Sequence, residues 1–264
     1  MNFKKLGVFA AAGVLTASLA LFGCSSGGDG GGSTTTAGGY DLVNPGQLTV
    51  AASLDFPPFE NLNGDAPEGF AVDLMGLLAE EMGLECNYLP STKFDTIVPL
   101  IQTGGKADVG VSSFTITDKR LQQVDFTDTY CDVNQSITVR SDSGITDVSQ
   151  LEGKKIGAQT GTTGYEWAAE NIKDAEVTGF DEMTAVFAAL DSGQIDGVAV
   201  DLPVANYYVK SYKDCQVINE IPTGEQYAVA VSKENPELTK ALNKALQAVR
   251  DNGKYDELAA KWLQ

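Results

Sequence analysis

The chain of 264 residues contains no histidine, so histidine-based catalytic triads and histidine metal sites are excluded from the outset. Basic residues are scarce: 18 Lys and Arg stand against 36 Asp and Glu, a formal charge of −18. That balance opposes binding to nucleic acid or to anionic lipid faces, which attract basic surfaces. The four cysteines show no zinc spacing. No cofactor or metal signature is found, and none is expected to be needed.

What is present is an ordinary globular composition, with 43% hydrophobic residues, 28 Gly and 9 Pro. A chain this long predicts two lobes of roughly 100 residues each. Residues 1–23 have the layout of an export signal: Lys4 and Lys5, an apolar run from Leu6 to Phe22, then Gly23 and Cys24. Leu21-Phe22-Gly23-Cys24 resembles a bacterial lipoprotein cleavage box, which implies lipidation of Cys24; the other reading is an uncleaved anchor, although the run is at the lower limit for spanning a bilayer. Either way the remainder is expected outside the cytoplasm and tied to a membrane. Residues 24–46 are expected to be a flexible tether, since Ser25 to Gly39 is almost entirely Gly, Ser and Thr. Lipidation of Cys24 would leave Cys86, Cys131 and Cys215, an odd number that cannot all pair, and the sequence leaves open whether two of them do.

The most informative stretch is Gly110 to Arg120. It reads as the end of a buried strand, a hydroxyl-rich turn with Ser112, Ser113 and Thr115, and a helix start capped by Thr117 with Arg120 in its first turn. Hydroxyls, free backbone N–H groups and a two-pronged guanidinium together suit a carboxylate. A second stretch has the same plan: Ile101 to Ser113 and Leu190 to Asp201 each run from a helix end through a glycine stop and an Asp into a short apolar strand. Ser113 lies five residues after Asp108, and Asp201 five after Asp196. Ligands of open α/β sheets bind outside the carboxyl ends of strands. Two such ends, one with Arg120 and one with Asp201, would hold a molecule carrying both charges.

Along the chain, Leu48 to Ser53 reads as a strand followed by the stiff loop Asp55-Phe56-Pro57-Pro58-Phe59-Glu60. Phe56 then falls just past a strand end, beside the pocket or in the core. Helical spacing marks Val72 to Met82 and Phe94 to Gln102, with Phe94 at a strand-to-helix junction. In the second half, Lys154 to Ala158 predicts a strand and Thr160 to Thr163 a turn presenting N–H groups to an anion. Separate strands are expected at Gln216 to Ile218 and Gln226 to Val231, and two helices at Pro236 to Asn252 and Tyr255 to Leu263. Lobe 1 is expected to comprise residues 47–129 and 228–264, and lobe 2 residues 130–227. Two crossings, near Tyr130 and Tyr227, make a hinge.

In order, Asp55 to Glu60, Gly69 to Leu74, Thr115 to Arg120, Val124 to Tyr130, Leu151 to Gly157, Gly161 to Thr163, Asp196 to Asp201 and Asn252 to Tyr255 with Lys261-Trp262 resemble the bacterial extracellular solute-binding proteins of the polar amino-acid type, the receptors of ABC importers. The resemblance covers about Leu48 to Leu263. It implies a type II periplasmic-binding-protein-like fold: two open α/β sheets joined by a two-strand hinge. It implies that Arg120, Thr115 and the backbone at Thr162 and Thr163 take a ligand α-carboxylate, and that Asp201 and the Ser113 carbonyl take the α-ammonium. Phe56 and Phe94 match positions that sandwich the ligand side chain, and Gln159 a position that varies with specificity. Ser53 stands where members preferring basic ligands often carry Asp, and no second cation is evident at the matched positions, so a neutral polar or apolar amino acid is expected. The implied partners are a free amino acid, an ABC permease and the membrane through the anchor, with a monomeric protein that is not an enzyme. The alternative is a cyclohexadienyl dehydratase-like enzyme on the same scaffold, which would need a carboxyl of raised pKa beside the arginine.

Overall fold

Short apolar runs closed by glycines fold into strands linked by helices, in the computed structural model that describes residues 34–263. In chain order the elements are β1 (Thr34–Thr35), β2 (Asp41–Leu42), β3 (Gln47–Ala51), β4 (Asn61–Asn63), β5 (Ala66–Glu68), α1 (Phe70–Glu81), β6 (Glu85–Tyr88), α2 (Phe94–Thr103), β7 (Val109–Thr115), α3 (Asp118–Leu121), β8 (Asp125–Phe126) and β9 (Cys131–Arg140). After a short 3-10 turn, Val148–Leu151, come β10 (Lys155–Gln159), α4 (Thr163–Asn171), β11 (Glu176–Phe180), α5 (Met183–Asp191), β12 (Gly197–Asp201), α6 (Leu202–Tyr208), β13 (Cys215–Val231), α7 (Pro236–Asp251) and α8 (Lys254–Trp262).

The fold is mixed α/β and two-lobed. Strands β6, β3 and β7 pair in parallel in one half, and β11, β10 and β12 in the other. Between them lie the antiparallel β13 and β9, so the two expected sheets are hydrogen-bonded into one path, β11-β10-β12-β9-β13-β7-β3-β6, with β8 on β13. Every residue of β7 and of β12 is buried, as parallel strands covered on both faces require.

The repeated Asp has the same job twice. Asp108 accepts the backbone N–H of Thr49 in β3 and of Val43, both at 2.7 Å, and Asp196 accepts that of Lys155 at the start of β10 at 3.0 Å. Each carboxylate pins the strand beside its own.

Three local expectations change, and the pairing of the cysteines, left open by the sequence, is answered. Ser112, Ser113 and Thr115 lie inside β7, because β7 keeps pairing with β13 across a register shift between Ala228 and Ala230; Ser113 has a φ of 50°. Residues 215–231 form one strand, since bulges accommodate Pro222 and Gly224 without ending the ladder with β9. Packing extends N-terminal to Gln47: Tyr40 and Leu42 are buried in the core, and Asn235 bonds to Asp41, so the end of the tether span 24–46 packs against the fold. Cys86, Cys131 and Cys215 are free thiols; burial pushes them up to about 11, 12 and 11. The export signal and Cys24 lie outside the described residues.

Candidate functional site

Thr117 caps α3, its hydroxyl accepting the Arg120 N–H at 3.2 Å, and this cap sets the Arg120 side chain one turn into the helix. Arg120 is only 9% exposed, so the geometry of its side chain is imposed by the protein. It donates to the Thr115 carbonyl at 2.7 Å and, across the cleft, to the Gly161 carbonyl at 3.1 Å. Its carbon lies 5.4 Å from the centroids of both Phe94 and Phe114, which stack on each other at 4.9 Å. Burial lowers the guanidinium pKa. No carboxylate forms an ion pair with it among the described residues, so two-pronged donor capacity is left over.

The opposite wall begins with α4. Thr162 caps it, accepting the Tyr165 N–H at 3.2 Å and donating to the Gln159 carbonyl at 2.7 Å. First-turn N–H groups of a helix have no intrahelical acceptor, so this end presents donors to an anion. Gly164 permits the approach: a Cβ there would sit 2.9 Å from the Ala199 carbonyl oxygen. Asp201, at the end of β12, is buried and receives Gln135 Nε2 at 3.0 Å; the same nitrogen reaches Thr163 Oγ1 at 3.2 Å. Burial, then the charge of Glu225, raises the Asp201 carboxyl to about 7.

Ser113 is held by Glu60, which has no exposed surface. Its oxygens accept the Ser113 N–H at 2.9 Å and hydroxyl at 2.9 and 3.1 Å. Burial pushes the Glu60 carboxyl up to about 8, against the lowering effect of the two Ser113 donors. Thr115 and Thr163, from opposite walls, both donate to Glu225 Oε2 at 2.6 Å. Gln159 donates to the Asp181 carbonyl at 3.0 Å, while its buried Oε1 has no hydrogen-bond partner among the described residues. Phe56 is buried, with its N–H on the Glu60 carbonyl. A crevice lined by Phe94, Phe114, Arg120, Gly161 and Glu166 opens along one side of the guanidinium.

Arg120, Phe94, Thr115, Thr163 and Asp201 are thus joined through direct contacts or one intervening side chain. Phe56 is in no aromatic pair with Phe94 among the described residues. Sequence reasoning gave no role to Glu60, Gln135 or Glu225. Glu60 closes the Asp55 to Glu60 loop, and the signal available there is an acid beside a run of aromatics and prolines. Glu225 and Gln135 sit in extended segments whose partners only the fold supplies.

The chain is 32% identical over 274 residues, covering 100% of this chain and 97% of the relative, to a probable histidine-binding protein of Neisseria gonorrhoeae. It is 32% identical over 200 residues to the ABC transporter glutamine-binding protein GlnH of Bacillus subtilis, covering 75% of this chain and 73% of that one. Among solved structures, an ancestral arginine-binding protein bound to arginine aligns with a TM-score of 0.78 and 36% identity over 83% of this chain and 99% of that one. The family model of the bacterial extracellular solute-binding proteins, family 3, matches residues 48–264, and the chain belongs to that family.

Proposed function

We propose that this protein captures a free amino acid between its lobes and delivers it to an ABC importer, held at the outer face of the membrane by a lipid on Cys24. One observation carries the reading: a buried arginine with unused donors and a buried aspartate are brought into one network, from Arg120 at Thr115 through Glu225, Thr163 and Gln135 to Asp201. Arg120 and the first turn of α4 take the α-carboxylate; Asp201 and the Ser113 carbonyl take the α-ammonium.

The side chain we assign is a hydrogen-bond donor, neutral polar or cationic. Arg120 is the cation of this site and is assigned to the α-carboxylate, which leaves an acidic side chain beside Asp201 and Glu225 with no counter-charge and so disfavours it. Gln159 Oε1 is a buried acceptor that is costly to leave unmet, and an amide, imidazolium or guanidinium would meet it. Relatives named for histidine, glutamine and arginine carry side chains of this kind. Basic ligands therefore return to the candidates despite Ser53, whose N–H is occupied by Ser112 Oγ at 3.2 Å.

Titration calorimetry with the twenty amino acids tests this. Binding confined to arginine, lysine, histidine, glutamine, asparagine or a similar donor supports it; tightest binding of glutamate, or of leucine, overturns it. A second reading, the dehydratase, draws on Asp201 and Glu60, carboxyls raised far enough to be protonated near neutrality as a general acid must be. Turnover of a cyclohexadienyl acid by purified protein would establish it; under the binding reading none is expected.

A further inference from the structure

We propose that Glu225 is a positioning residue of the cleft, a strut whose single carboxylate oxygen ties the two walls together. The proposal rests on the reading of the cleft as an amino-acid site. Thr115 Oγ1 comes from the end of β7 and Thr163 Oγ1 from the start of α4, and both reach the same Oε2 of Glu225 at 2.6 Å. Glu225 itself belongs to neither wall. It lies on β13, the strand that runs between the halves, two residues before Tyr227, which pairs with Thr115.

A built bulge places it there. Against β9, Ile221 pairs with Gln135 and Glu225 with Val133, so Pro222, Thr223 and Gly224 stand opposite Asn134 alone. Gly224, with a φ of 65°, donates its N–H to Asn134 Oδ1 at 3.2 Å, and Thr223 Oγ1 accepts the Gln135 N–H at 3.3 Å. Bulges re-aim side chains beside functional sites. The strut then continues from Thr163 through Gln135 Nε2 to Asp201, linking the hinge to the carboxylate that receives the ammonium.

Two roles are open to a carboxylate in this place, and the geometry separates them. A competitor imitating the ligand carboxylate would take the guanidinium, the strongest donor present. Glu225 forms no ion pair among the described residues, and the Arg120 N–H groups go to the carbonyls of Thr115 and Gly161 instead. A threonine hydroxyl has one proton to give. With both protons given to Glu225, the hydroxyls act as fixed struts, and ligand carboxylate recognition falls to Arg120 and the α4 N–H groups. Separating the walls breaks at least one of the two bonds, so Glu225 favours the closed cleft and slows ligand escape.

The test compares Glu225→Ala with Glu225→Gln, using arginine and glutamine as probes. Alanine removes the acceptor; glutamine keeps an acceptor oxygen without the charge. The Ala variant is expected to bind about tenfold more weakly, mainly through faster dissociation in stopped flow, and the Gln variant to recover most of that loss. Scattering of both variants without ligand should show the Ala form more expanded than the Gln form. Tighter binding by both variants identifies a competitor and overturns the strut. So does an Ala variant that matches the parent in dissociation rate and dimensions. Failure of the parent to bind any amino acid overturns the site reading instead, and the comparison of dimensions still decides the strut.

Discussion

Glu60 holds Ser113 by both its backbone N–H, at 2.9 Å, and its hydroxyl, in a residue whose φ is 50°. A side-chain carboxylate thus fixes a left-handed backbone position beside the cleft, a conformation that costs a non-glycine residue of order 1 kcal/mol or more. The same burial raises the Glu60 carboxyl from 4.5 to about 8. Between those values the folded state binds the proton and the unfolded state does not, so stability falls as pH rises through that window. Glu60→Gln should flatten this dependence. The melting temperature of the parent is expected to drop between pH 6 and pH 8.5, and to drop less in the variant.

Arg120→Ala should leave the fold intact and abolish most binding. Losing the partner of a charge in a closed, water-poor cleft costs about 3 to 5 kcal/mol, a hundredfold or more in affinity. Calorimetry that finds only a few-fold loss, in a variant with an unchanged melting temperature, would remove Arg120 from the carboxylate site.

Binding itself should be linked to a proton. Asp201 is raised to about 7 by burial and by Glu225, and an ammonium placed against it favours its ionised form. Ligand entry therefore expels a proton below about pH 7, and affinity should weaken as pH falls from 8 to 6. Calorimetry in two buffers of different ionisation enthalpy measures the release directly. Asp201→Asn should bind more weakly at pH 8 and lose most of the release.

The parts legible in the sequence are those governed by short-range patterns. The Thr117 cap and Arg120 three residues on are a local device, and the Asp-to-strand repeat at Asp108 and Asp196 is visible because each Asp precedes its own strand at the same spacing. Glu225 was not legible. Its partners Thr115 and Thr163 lie far away in the chain, and Pro222 with Gly224 resembled the end of a strand. Glu60 was hidden for a related reason: an acid beside Phe56, Pro57, Pro58 and Phe59 marks a stiff loop, and the Ser113 that buries and bonds it is supplied by the fold.

Cys24→Ser should move the protein from the membrane fraction to the soluble fraction, because a diacylglyceryl group is the durable attachment a cleaved product retains. Fractionation of cells expressing the variant checks this. Continued membrane association would favour the uncleaved helix.

The last expectation concerns closure. Tyr130 donates its N–H to the Tyr227 carbonyl at 2.8 Å, so the two segments we propose as the crossings between lobes are tied side by side, where a few residues would absorb the rotation. At the cleft rim, Asp55 in the loop after β3 accepts the Thr184 N–H at 3.0 Å and the Tyr208 hydroxyl at 3.1 Å from the other half, and Lys119 meets Glu166 at 2.8 Å. These rim contacts are exposed or half-buried, and an exposed ion pair contributes little. Closure therefore depends on what lies inside, where an amino acid can satisfy Arg120 and Asp201 together only when the walls meet. Binding available in the closed form alone shifts the population. Micromolar binding corresponds to about 8 kcal/mol, enough to overcome an open-state preference of a few kcal/mol. Small-angle scattering should show compaction on saturation with ligand, and Asp201→Asn should remain more expanded at the same ligand concentration. A parent protein of unchanged dimensions with and without saturating ligand would refute the clamp.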